Sequence, residues 1–205
     1  MLNRLNKLIY PGGKPNARYL NYVGWSFVST VCVSVQMTMS THSMLDAVGS
    51  SDDRTGNYIG KDILGQLGGL MYMSKMAEHV DREPSKFILF SGLVQQTSII
   101  LMSSTPLFEP HYFLPVAGLS NAMSNVSFTG YGAINAKCVQ EMSDNNIGEM
   151  YAKITVINTM ASSIGMALGV VVCMYIPDHA VRTSLLPIIG ACRIYSYNKA
   201  VEGLI

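Results

Sequence analysis

Asn57-Tyr-Ile-Gly-Lys-Asp-Ile-Leu-Gly-Gln-Leu-Gly-Gly69 combines recurring glycines with a single charged pair. Gly56, Gly60, Gly65, Gly68 and Gly69 recur through it at helical spacing. Glycines three and four apart strip one face of a helix down to backbone, so a second helix can approach very closely. Lys61 and Asp62 stand side by side in this otherwise uncharged run. Charges in such a face must be paired, or turned towards water or a partner. Adjacent residues do not share a helix face, so their partners are expected from other helices. Gly65 to Gly69 is not read as a phosphate cradle, because no strand precedes it. Gly60, Lys61, Asp62, Gly65, Gly68 and Gly69 are therefore candidate helix-packing and interaction residues.

Composition widens this into a class. Only 13% of the 205 residues are charged and 49% are hydrophobic, and the mean hydropathy is +0.26. The charged share is about half that of an ordinary soluble domain, so the chain leans towards a membrane. Ser, Thr, Asn and Gln scattered through the apolar runs favour packed helices over purely lipid-facing ones, and 14 Met add adaptable packing surface. A net charge of +1 gives no electrostatic footprint for nucleic acid.

Outward from the glycine run, apolar segments follow one another with helical spacing. Residues 1–20 carry Arg4, Lys7, Lys14 and Arg18 and no acid, with Leu2, Leu5, Leu8 and Ile9 along one side. This reads as an interfacial amphipathic segment. By the positive-inside rule it lies on the matrix or cytoplasmic side. Tyr22 to Met44 is long enough to cross a bilayer, which takes about 20 residues. Gly60 to Met76, Phe87 to Phe108 and Leu114 to Ala136 follow, the last rich in Gly, Ala and Ser. Pro84 marks a helix start. Ile154 to Ile176 is the cleanest transmembrane candidate, with Ala161, Gly165 and Gly169 four apart on one face. Pro177 ends it, and 177–205 is expected as a short tail whose apolar part, Leu185 to Ala191, is too short to span. The expected fold is an all-α multi-helix membrane bundle with Gly/Ala/Ser packing faces: a basic segment at 1–20, a helical membrane domain at 21–176 and the tail at 177–205.

The order of landmarks resembles one family, the root UV-B sensitive proteins. The resemblance runs from Pro11-Gly-Gly-Lys-Pro15, Tyr19-Leu20, Tyr22 and Trp25 through Leu45-Asp-Ala-Val-Gly49 to Lys61-Asp62-Ile-Leu-Gly65-Gln-Leu-Gly68-Gly69, its most specific piece. It continues through Asp81, Pro84, Lys86, Thr105-Pro106, Gly118-Leu-Ser-Asn121 and Asn145-Asn146-Ile-Gly-Glu-Met-Tyr-Ala-Lys153, and closes on Gly165 and Gly169. Where the family usually has a Trp-Arg pair and an acid after the charged linker, this chain has Phe87-Ile-Leu-Phe90-Ser91-Gly92. The long C-terminal portion common in the family is nearly absent, so the chain is expected to be a divergent, trimmed member. The resemblance implies association with organelle membranes and, in plants, a link to vitamin B6 status and light responses. It implies no catalytic residues.

No reaction is legible in the residues themselves. His42, His79, His111 and His179 show no metal-ligand spacing, and Cys32, Cys138, Cys173 and Cys192 fall in no paired pattern. Asn125-Val-Ser127 fits the glycosylation sequon but lies in an apolar segment. Lys61 is the one residue that could form a Schiff base with a cofactor aldehyde, and a polar clamp inside the bundle is the plainer reading. Asn121, Asn145, Asn146, Glu149 and Lys153 read first as helix-end hydrogen-bonding groups. The expected function is a non-catalytic accessory or scaffold subunit of an organelle membrane complex, in the mitochondrial inner membrane, such as a respiratory complex or ATP synthase. It has no cofactor and no metal, and its partners are other membrane subunits and lipids. The alternative is a membrane protein that binds or transports a vitamin B6-type small molecule near Lys61, Asp62 and the Asn145-Asn146 turn.

Overall fold

The computed structural model describes residues 10–11, 16–48, 54–143 and 146–205, with backbone only at residue 54 and residues 73–81. Most of the basic segment at 1–20, residues 12–15 of the Pro-Gly-Gly motif, the loop at 49–53 and Asn145 lie outside the described residues, as do the side chains of Lys75, His79 and Asp81.

The described chain is helical throughout and contains no strand. Six helices follow in order: α1 (Ala17–Val48), α2 (Arg54–Arg82), α3 (Pro84–Ser103), α4 (Phe113–Met142), α5 (Ile147–Tyr175) and α6 (His179–Val201). Their limits follow from local chemistry. Pro84 opens α3, where a missing N–H costs nothing. After α3 the backbone tightens into two 3-10 turns, Thr105–Leu107 and Pro110–Tyr112, each containing a proline. Pro177 keeps α5 from continuing. Asp178 then caps α6, its Oδ1 accepting from the backbone N–H groups of Ala180 (2.8 Å) and Val181 (3.1 Å).

Residues 177–205 differ most from the sequence reading. Instead of a tail they form α6, a helix of 23 residues that packs on α1 and α3. It buries Leu186, Gly190, Ser196 and Tyr197 together with two arginines, Arg182 and Arg193.

α1, α3, α4 and α6 form the centre, with α2 laid chiefly on α4 and α5 chiefly on α1. The core falls into three apolar clusters. Tyr19, Tyr22, Tyr131, Ile134, Cys138 and Tyr197 belong to the one at the start of α1. Val35, Met39, Ile99 and Leu186 fill the middle, and Met44, Val48, Met102, Phe113 and Ala117 the far end. Hydroxyl and carboxamide groups link the helices between these clusters. On α3 and α4, Ser98 Oγ donates to the Ser120 carbonyl (2.7 Å) and Ser120 Oγ to the Ser98 carbonyl (2.8 Å). Ser127 Oγ donates to the Ser91 carbonyl (2.7 Å) and Gln95 Nε2 to Ser124 Oγ (3.1 Å). Gln36 of α1 and Gln96 of α3 both donate to the Leu186 carbonyl, at 2.7 and 3.0 Å, immediately before Pro187 inside α6. Each such side chain satisfies a polar group that would otherwise be costly to bury.

Candidate functional site

The glycine run of α2 lies against α4. A Cβ on Gly60 would come 2.9 Å from Leu114 Cδ1, one on Gly68 2.5 Å from Ala122 Cβ, and one on Gly69 3.2 Å from Asn125 Cβ. At Gly65 it would run into the carboxamide of Asn121. Gly118 of α4 answers in kind, leaving room for Leu64. Only residues without side chains let the two backbones lie this close.

Lys61 and Asp62 sit on the same contact. Lys61 is only 5% exposed, and its Nζ lies 2.6 Å from Asp62 Oδ1 and 4.1 Å from the centre of the Tyr58 ring. Asn121 Nδ2 donates to the Lys61 carbonyl (3.1 Å) and to Asp62 Oδ1 (3.0 Å). The expectation that the two charges take partners only from other helices is corrected in part. α4 does supply Asn121, but the lysine pairs with its own neighbour. A four-carbon stem can bend across the face that separates two adjacent Cβ atoms, and the Asp62 side chain, 49% exposed, waits at the rim. The result closes Lys61 Nζ between a carboxylate and an aromatic face.

The second small-residue contact joins α1 and α5, which run parallel. Ala161 is fully buried. A Cβ on Gly165 would lie 2.6 Å from the Val31 carbonyl oxygen and 2.7 Å from Ser34 Cβ, and one on Gly169 2.6 Å from Thr38 Cβ. Ser34 Oγ donates to Ser162 Oγ (3.0 Å) and Ser26 Oγ to Asn158 Oδ1 (3.3 Å). Near the start of α5, Lys153 Nζ reaches the Tyr10 carbonyl (2.6 Å) and Glu149 Oε1 (2.8 Å). Asn146 stands at the N-cap position of α5 without a side-chain cap bond.

α4 and α5 touch little, and a groove opens between them. One part, of about 590 Å³, has α1 along its floor and Phe128 and Met166 on its sides. The other, of about 370 Å³, is lined by Asn135, Tyr151, Asn158 and neighbouring hydroxyls. The two parts share Ser162 and Met166. Neither Lys61 nor Asp62 lines them. Asn135, absent from the sequence reading, is a node of the bundle. Its Oδ1 accepts from the phenol O–H groups of Tyr22 (2.8 Å) and Tyr197 (2.7 Å), drawn from α1 and α6.

Two further polar clusters went unread in the sequence. At the far end of α1, Arg182 Nη1 donates to His42 Nδ1 (3.1 Å), and Asp46 Oδ2 lies 3.1 Å from the same nitrogen. Arg193 lies with its guanidinium 4.8 Å from the Tyr131 ring centre. The thiols of Cys32 and Cys192 meet across the α1–α6 contact, and Cys32, Cys138, Cys173 and Cys192 are all free. Among the described residues no group of three or more His, Cys, Asp or Glu could hold a metal ion. These groups pin helices to one another.

Residues 1–204 match the vitamin B6 photo-protection and homoeostasis domain. Among curated proteins, root UVB sensitive 4 of Arabidopsis thaliana is 26% identical over 178 residues, 83% of this chain and 34% of that protein. Root UVB sensitive 3 of the same plant is 24% identical, covering 98% of this chain and 48% of its own length. The chain thus spans between about a third and a half of these relatives. No solved structure matches. With the domain matched almost from end to end, the chain belongs to the root UV-B sensitive family, whose domain is described by vitamin B6 photo-protection and homoeostasis.

Proposed function

We propose that this chain is a non-catalytic, membrane-embedded helical module that works by packing, as an accessory or scaffold subunit of a larger organelle-membrane assembly. The outer face of α5 carries the reading. Its most apolar window has a mean hydropathy of 1.8, and only 17% of that window is buried. Val156, Met160, Ile164, Leu168, Val171 and Met174 all face away from the bundle. A helix of this length and composition inside a water-soluble bundle would turn those side chains inward, whereas an outward face of this size needs lipid or a protein partner. α3, the other helix apolar enough to cross, is 44% buried over its window and suits the interior of such a bundle. The acid-free basic residues near the start of the sequence suit the matrix or cytoplasmic side of a membrane, and the mitochondrial inner membrane, with a respiratory complex or ATP synthase as host, is the placement proposed.

Alkaline carbonate extraction followed by a native gel in gentle detergent, with mass spectrometry of the band, tests both halves. Retention in the pellet and a stoichiometric place in one large assembly are expected. Release by carbonate overturns the membrane half, and migration as a small free species overturns the scaffold half.

The description of the matched domain favours a second reading, binding or transport of a vitamin B6-type compound. On this reading Lys61→Ala abolishes pyridoxal binding by the purified protein; on the first it only loosens the α2–α4 contact.

A further inference from the structure

We propose that the groove between α4 and α5 holds one membrane glycerolipid, with an acyl chain along its apolar part and an ester carbonyl on the carboxamide N–H groups of Asn135 and Asn158. The inference rests on the membrane reading above and adds a bound component to it.

The groove has two chemically distinct parts. The larger presents Val33, Met37, Leu45, Phe128 and Met166, and its Thr38 hydroxyl is already spent on the Ser34 carbonyl (2.9 Å). The smaller looks rich in hydroxyls, but Thr155, Thr159 and Ser163 each donate to the carbonyl four residues back, at 2.8, 2.8 and 3.0 Å. What this part has left to offer is the Tyr151 phenol, the O–H of Ser162, whose oxygen accepts from Ser34, and two carboxamides. Asn135 Oδ1 is occupied by two phenols and Asn158 Oδ1 by Ser26. These contacts fix both amides with their NH2 groups as the unspent ends, and both residues line the groove.

That donor set selects its ligand. Neutral N–H and O–H donors with no lysine, arginine or histidine lining the same part satisfy a carbonyl oxygen. An unpaired anion placed there would lose its hydration without a counter-charge. A compact water-soluble acceptor would leave the apolar part empty. The two volumes, about 590 and 370 Å³, lie in the usual range for ligand sites, about 300–1,000 Å³. Phe128 and Met166, on the groove walls, are also half-exposed to the outside. The groove therefore opens onto the outward apolar surface of α5, and a chain in the surrounding bilayer can enter it sideways.

The test uses the full chain, reconstituted in phosphatidylcholine vesicles and then moved into detergent for native mass spectrometry. One retained phosphatidylcholine per chain is expected. A phosphatidylcholine with a photoreactive group midway along one acyl chain should label Met37, Phe128 or Met166. Met166→Trp fills the groove from a half-exposed position and should reduce retention to background. Asn158→Asp keeps the shape but replaces the donor, and should weaken retention about fivefold, the worth of one neutral hydrogen bond. Val171→Trp, on the outer face of α5, should leave retention unchanged. A chain that resists carbonate extraction yet keeps no lipid overturns the groove proposal and leaves the membrane reading standing. Release by carbonate overturns both. Retention of a pyridoxal compound in place of lipid, lost in Met166→Trp, overturns the lipid assignment in favour of a small polar ligand.

Discussion

The two outer helices, α2 and α5, use the same device beside different residues. Each lays a run of small residues on one central helix, and in each an added Cβ would come within about 2.6 Å of its neighbour or closer, as at Gly68 and at Gly165. Along α5 the contact is lined by hydroxyls and backbone, and the outward face is mostly apolar, its exposed Thr155, Thr159 and Ser163 each bonded to the carbonyl four residues back. Along α2 it carries a lysine, an aspartate and an asparagine, and α2 is not among the helices long and apolar enough to cross a membrane. The glycines thus set how close two helices come, and the residues beside them set whether the contact carries charge. Sequence spacing reports the first and says little of the second.

Substitutions can press on each half of this comparison, and thermal unfolding in detergent reads them all. Gly165→Val should be the most damaging, at about 3 kcal/mol, because the obstacle is the Val31 carbonyl of α1, a backbone atom that cannot rotate away. Gly68→Val meets Ala122 Cβ, with the nearest backbone atom, Ala122 Cα, 3.3 Å from the added Cβ, so about 2 kcal/mol is expected. Equal losses at the two sites would erase the distinction between the contacts.

Polar substitutions sharpen the α2 side. Asn121→Leu removes the donor to both the Lys61 carbonyl and Asp62 and should cost about 1.5 kcal/mol. Lys61→Met keeps the packed stem and loses the charge. Because Asp62 is half-exposed and its carboxylate is screened by water, the loss should stay under about 1 kcal/mol. Smallest is Gly24→Ala in α1, where an added Cβ meets nothing within 4 Å. It should stabilise by about 0.5 kcal/mol through the unfolded chain. A destabilising Gly24→Ala would show that a neighbour covers that position.

The helices and their close contacts were legible because period and residue size are local properties. Gly165 and Gly169 repeat at four residues, and no tertiary knowledge is needed to place them on one face. The clamp was half legible. Lys61, Asp62 and Asn121 stood out individually, but helix-face geometry says nothing of how far a lysine stem can bend. α6 was missed as a core element because Arg182, Pro187 and Arg193 interrupt its apolar run, and its burial comes from α1 and α3. Asn135 was invisible for a plainer reason. Its partners, Tyr22 and Tyr197, lie 113 and 62 residues away, and no spacing rule links such positions.

The reciprocal serine bonds of α3 and α4 bear on mechanics. Ser91, Gln95 and Ser98 meet Ser127, Ser124 and Ser120 in antiparallel order. A slip of one turn, about 5.4 Å, would break every one of these bonds together and strand their donors in a dry interface. Sliding between these two helices is therefore all-or-none, so α3 and α4 behave as a spine. Relative movement is therefore easier for α2 and α5, each laid chiefly on one central helix, than between α3 and α4.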